Sequence, residues 1–196
     1  MGSSLWRPLL EGEQAAQARE VVNAIAQALE SWPADGPNIG GGAAGQALFH
    51  GYLAKALGDE RHAERADQLL DEAIESVAST PMRPALYAGF TGIAWAAEHL
   101  GRLFEDGEQA DEDVNEEIDE AVLTALANSS WAGDYDLISG LVGFGVYAVE
   151  RFPRPSAVRC LEAVIDRLDA TAERNEQGVS WFTPPEMLPA NQMEES

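Results

Sequence analysis

Three glycine pairs dominate the reading of this chain. They are Gly42-Ala43-Ala44-Gly45, Gly89-Phe90-Thr91-Gly92 and Gly140-Leu141-Val142-Gly143. Their first glycines stand 47 and 51 residues apart, a spacing that suits one helical hairpin per repeat. Each pair opens a charge-poor stretch rich in Ala, Gly and aromatics, at residues 42–57, 89–100 and 140–149. Those stretches read as buried helices. A first glycine permits a tight entry, and a second, three residues on along the same face, lets another backbone come close. Converging helix starts of this kind are expected to favour an anionic or polarised group at one mouth.

Between and around them run four amphipathic segments, at residues 14–29, 61–77, 116–126 and 156–170, with apolar side chains at three- and four-residue steps. Pro33, Gly36-Pro37, Pro81, Pro84, Gly133, Pro153 and Pro155 sit at the joints. No stretch alternates with period two, so no sheet is expected. Residues 105–113 read as a solvated acidic loop. The fold class is therefore all-α, an outer–inner alternation of about seven helices.

Composition narrows the partners. A net charge of −22 repels phosphate backbones and anionic membrane surfaces, so no nucleic acid is expected. The high acid content with Lys55 as the one lysine fits either a salt-rich cytoplasm or plain compositional bias. There is no membrane-length apolar run and no signal pattern, so the expected location is cytoplasmic. Cys160 is the one cysteine and falls in an apolar-periodic helix. It excludes an intramolecular disulfide and a thiolate zinc cage within the chain, and it reads as a small buried hydrophobe.

The same residues offer other chemistry. Gly40-Gly41-Gly42-Ala43-Ala44-Gly45 matches a dinucleotide fingerprint literally, but a loop precedes it where a strand is required. His50, His62 and His99 lack the spacing of a helical metal motif, and His50 and His99 stand at different offsets from their glycine pairs. Trp95, Tyr147 and Phe49 read as core. Asp134 and Asp136 could serve a glycosidase, although two carboxylates on one loop are not an opposed pair. A concave repeat surface also suits a non-catalytic peptide-binding scaffold.

Leu86-Tyr87-Ala88-Gly89-Phe90-Thr91-Gly92-Ile93-Ala94-Trp95 and Asp134-Tyr135-Asp136-Leu137-Ile138-Ser139-Gly140-Leu141-Val142-Gly143 resemble the lanthionine synthetase C-like family. So do Trp6-Arg7-Pro8-Leu9-Leu10 and Trp181-Phe182-Thr183-Pro184-Pro185-Glu186. The resemblance implies an α/α toroid with zinc at its mouth. It also implies thioether formation, in which a zinc-activated cysteine thiol adds to dehydroalanine or dehydrobutyrine in a precursor peptide. For some members it implies glutathione as the thiol. The family's zinc ligands, two Cys and one His, and a catalytic His belong to inner helices of the second half. On that comparison residues 1–196 form the N-terminal part of the toroid domain, an incomplete half-toroid. It would bind no zinc alone, and its activity would need a complementary C-terminal half. One catalytic position carries over: Asp136 matches the aspartate thought to assist proton movement near the metal. The competing reading of Asp136 is a helix-start cap, with Asp134 an equal candidate for that job.

Overall fold

The computed structural model describes residues 9–104, 113–127, 133–183 and 185. Most of the tryptophan-led segment at 6–10, the acidic loop at 105–112, and Pro184 and Glu186 of the last family-like segment lie outside the described residues. Among those described are seven α-helices: α1 (Gly12–Ser31), α2 (Ala43–Leu57), α3 (Glu60–Ser79), α4 (Phe90–Phe104), α5 (Glu116–Leu126), α6 (Leu141–Glu150) and α7 (Pro155–Thr171). The chain is all-α, an arc of an α/α toroid. The inner helices α2, α4 and α6 pack side by side, while α3 packs on α2 and α7 on α6. The middle hairpin is looser, because α5 packs more extensively on α7 than on α4.

Two short strands were not expected. Glu173–Asn175 (β1) and Gly178–Ser180 (β2) form an antiparallel hairpin, with Arg174 opposite Val179. All six residues are exposed, so neither face is buried. Such a hairpin leaves no alternation to read.

The inner helices are lined with small residues for a packing reason. Ala44, Ala47, Ala96 and Ala148 are completely buried, and a side chain at Gly51 would run into Leu100 of α4. Bulk comes from the outer helices and the aromatics. Leu69 and Ala73 of α3 meet Ile93 and Leu100 of α4 in one cluster. Val122 and Leu126 of α5 meet Phe144 and Tyr147 of α6, and Cys160 and Val164 of α7, in a second. Trp95 touches both clusters. Helix α1 departs from its amphipathic pattern. It buries only Ala26 and leaves Val21 and Ile25 exposed. Full burial of a side chain of that size is worth about 1.5–3 kcal/mol, so α1 is the most weakly docked of the seven.

Candidate functional site: the loops that start the inner helices

The glycine pairs act through the loops in front of them. A side-chain carbon at Gly42, Gly89 or Gly140 would strike the carbonyl six residues earlier, on Gly36, Arg83 and Asp134. At Gly45, Gly92 and Gly143 it would strike the carbonyls of Ile39, Leu86 and Leu137, again six residues back. The backbone that the second glycine admits is therefore the chain's own preceding loop. The second glycine also faces the repeat before it, as Ile39 lies beside Gly92 and Leu86 beside Gly143.

This close approach lets the loop carbonyls take up the first-turn amides. Ala43, Ala44 and Gly45 donate to Gly36, Pro37 and Asn38 at 2.8, 3.2 and 3.3 Å. Leu141, Val142 and Gly143 donate to Asp134, Tyr135 and Asp136 at 3.1, 3.1 and 3.4 Å. These orphan donors of the helix start are satisfied by backbone. The expected anion-attracting mouth is corrected accordingly, because the N–H groups it would use at α2 and α6 are occupied. Loop follows loop through equivalent residues: Gly40 N–H donates to Tyr87 O at 3.3 Å, and Tyr87 N–H to Ile138 O at 3.1 Å.

Asp136 lies in the third of these loops. Its Oδ1 accepts from Ile138 N–H at 2.5 Å and from Ser139 N–H at 3.1 Å. This is an Asx turn, and Gly140, at the cap position of α6, has no side-chain cap. Asn38 occupies the same place in the first loop, four residues before Gly42, and its Oδ1 accepts from Gly40 and Gly41 N–H at 2.8 and 3.2 Å. The loop geometry thus works with an amide as well as with a carboxylate.

What differs around Asp136 is the surroundings. Asp134, Tyr135, Asp136 and Thr183 line a cavity of about 350 Å³. The Tyr135 hydroxyl and Thr183 Oγ1 are 2.6 Å apart. The Trp181 ring lies 6.2 Å from that of Tyr135 and is anchored by its Nε1–H on Leu168 O at 2.9 Å. Two segments more than forty residues apart in sequence, each singled out by its family resemblance, therefore meet at one acidic pocket. Thr183 was not anticipated as a pocket residue, although the segment holding it was.

A family model described as lanthionine synthetase C-like protein matches residues 33–192. The chain belongs to the lanthionine synthetase C-like family. Comparison with the curated proteins gives no match.

The zinc that this family implies finds no fitting donor set among the described residues. Among the described residues no three His, Cys, Asp or Glu side chains are grouped to hold a metal. Cys160 is fully buried, with its S–H against Asp119 O at 3.5 Å. Burial, and then the Asp119 charge, push its thiol up to about 12. His50 and His62 face each other, Nδ1 to Nδ1 at 3.1 Å, beside a cavity of about 570 Å³ that Glu30, Asp59 and Arg65 also line. Burial, then His62 and Arg65, hold His50 below its ordinary value against the opposing pull of Glu30. His99 lies elsewhere, bonded to Tyr52 and Glu150.

At the C-terminal end of α6 the lanthionine synthetase C-like arc is held by a cluster that pattern reading missed. Arg151 is fully buried. Its guanidinium reaches Asp119 at 2.9 and 2.7 Å, Glu98 at 2.9 Å and Asp113 at 2.8 and 2.9 Å. The Tyr147 hydroxyl donates to Asp119 at 2.7 Å. Burial works against a charged Asp113, but the Arg151 hydrogen bonds and charge outweigh it and hold that carboxyl below its usual value. Burial likewise opposes the Arg151 charge, and the Asp119 bonds overcome it.

Proposed function

We propose that this chain takes part in thioether formation on a peptide, with the Asp134–Tyr135–Asp136–Thr183 pocket facing the reacting residues. The observation that carries the reading is the meeting of the Tyr135-Asp136 and Trp181-Thr183 segments at that pocket, in a chain of this family. The reaction is an addition. A cysteine thiol loses its proton and its sulfur bonds the β-carbon of dehydroalanine or dehydrobutyrine. The α-carbon then gains a proton, so nothing leaves. Asp136 is the group proposed to pass a proton, since a carboxylate can do so and an amide cannot at neutral pH. The chain's described residues do not make a zinc site, so the metal of the family is proposed to come with a complementary half, and no step here is routed through it.

Charge selects the partner. A surface of −22 draws cationic peptides and repels an anionic thiol such as glutathione. A basic precursor peptide in the cytoplasm is therefore the proposed substrate. A second reading rests on Asn38. Because it makes the same turn as Asp136, the arc could be a peptide-binding scaffold without chemistry. A glycosidase has less support, since Asp134 and Asp136 share one loop.

The test supplies the chain, with and without a second half carrying thiolate zinc ligands, to a dehydrated cysteine peptide. Cyclisation leaves the peptide mass unchanged and removes one alkylatable thiol. Thiol loss with both halves, suppressed by salt through weakened peptide encounter, is expected. Peptide binding with no thiol loss would favour the scaffold.

A further inference from the structure

Tyr52, His99 and Glu150 each stand ten residues beyond the first glycine of their pair, on α2, α4 and α6. The repeat brings these equivalent positions into a line. Glu150 Oε1 lies 3.0 Å from His99 Nδ1, and His99 Nε2 lies 2.5 Å from the Tyr52 hydroxyl. With the Nδ1–H donated to Glu150, the Nε2 lone pair faces the phenol, so the phenol donates. The Trp95 indole stacks on the imidazole, 4.7 Å between centroids at 12°, and holds its plane. Tyr52 is 51% exposed, so its oxygen is reachable. An apolar cavity of about 390 Å³ shares Trp95 and Glu150 with the line and adds Val142, Val146 and Val149.

We propose that Tyr52, His99 and Glu150 form a second site, separate from the Asp136 pocket: a nucleophile, its base and a positioning carboxylate that take an activated acyl group from an apolar ester or thioester. A nucleophile within hydrogen-bond reach of a base that a third group orients is the arrangement nucleophilic catalysis uses. The Tyr52 oxygen bonds the carbonyl carbon as its proton passes to His99 Nε2. The imidazolium is stabilised by Glu150. The bond from carbonyl to leaving oxygen or sulfur breaks, and Nε2 returns the proton to that atom. The product is an O-acyl tyrosine and a free alcohol or thiol. The apolar cavity suits the organic part of the donor.

The test uses the full chain and p-nitrophenyl acetate, reading nitrophenolate release and locating the acetyl group by peptide mass spectrometry. Tyr87, 40% exposed, is the reference within the same molecule. Tyr52 is expected to acetylate about 10²-fold faster than Tyr87, the lower range of general-base assistance. Tyr52→Phe abolishes that fast label, and His99→Gln brings Tyr52 down to the Tyr87 rate. Glu150→Gln keeps the hydrogen bond but loses the charge that stabilises the imidazolium, so it slows the fast label while leaving thermal stability unchanged, which a mere strap between helices would not do. Equal rates at Tyr52 and Tyr87 in the wild-type chain would overturn the proposal, and that comparison needs no variant to fold. So would a fast Tyr52 that His99→Gln leaves unchanged.

Discussion

The two ends of the inner helices are secured by different physics. At their N-terminal ends, backbone carbonyls cap amides and glycines make room, and the arrangement recurs at Gly42, Gly89 and Gly140. At the C-terminal end of α6, one buried guanidinium gathers three carboxylates from α4, α5 and the stretch before α5, and among the described residues the other inner helices show no copy of it. The first device needs only a local sequence and is repeatable. The second depends on side chains brought together from 98 to 151, so it can form only once the fold is nearly complete. That contrast suits a repeat whose loop edge presents a pocket and whose opposite edge locks the helices.

The largest effect is expected at the lock. Arg151→Met strands the fully buried Asp119 carboxylate and should cost about 3–5 kcal/mol in denaturant unfolding. The same change in an Asp119→Asn background should cost clearly less, because the two residues are coupled. Additive losses would show that the cluster is not a unit. On the loop side, Gly143→Ala drives a methyl into the Leu137 carbonyl and should cost about 1–3 kcal/mol. Gly145→Ala, two residues on, meets only Val164 and Leu161 at 3.6 and 4.0 Å and should be neutral or gain up to about 1 kcal/mol from its helical position. Equal losses at both would break the claim that the pair serves the loop.

A smaller effect separates the His50–His62 contact from both ends. His50 binds its proton less readily folded than unfolded. Its contribution is therefore full above the unfolded value of about 6.5 and declines as pH falls through that value, until the folded group also titrates. The carboxylate self-repulsion relieved by acid acts in the opposite direction, so the readout is a difference. Between pH 7.5 and 5.5, His50→Asn should remove part of the stability loss seen in the wild-type chain. An identical pH slope in both would discard the His pair as a titrating contact.

Much of the arc is legible in the residue pattern. The glycine pairs and the period of 3.6 mark every helix to within a few residues, and the family resemblance singles out both segments that build the Asp136 pocket. The depth of α1 is not legible, because an amphipathic face announces that it can be buried without saying that anything covers it. Arg151 is not legible either. Its partners at 98, 113 and 119 follow no local spacing, and a lone arginine after a helix looks like surface. The Tyr52–His99–Glu150 line was within reach, since three equal offsets from three glycines are visible without coordinates. The three residues differ in type, so no single-residue motif marks the line. Asp136 shows the opposite limit. The loop position is readable, and Asn38 shows that the loop alone does not require a carboxylate.

That last point yields the most direct measurement. Asp136→Asn keeps an oxygen for Ile138 and Ser139 N–H, as Asn38 does for Gly40 and Gly41. Thermal stability and thioether formation are measured on both forms in the presence of a zinc-bearing second half. The account predicts a melting free energy unchanged within about 0.5 kcal/mol and a loss of rate of about 10²-fold or more. An unchanged rate, or one that falls only in step with stability, would contradict the proton-handling role and leave Asp136 as the holder of a turn.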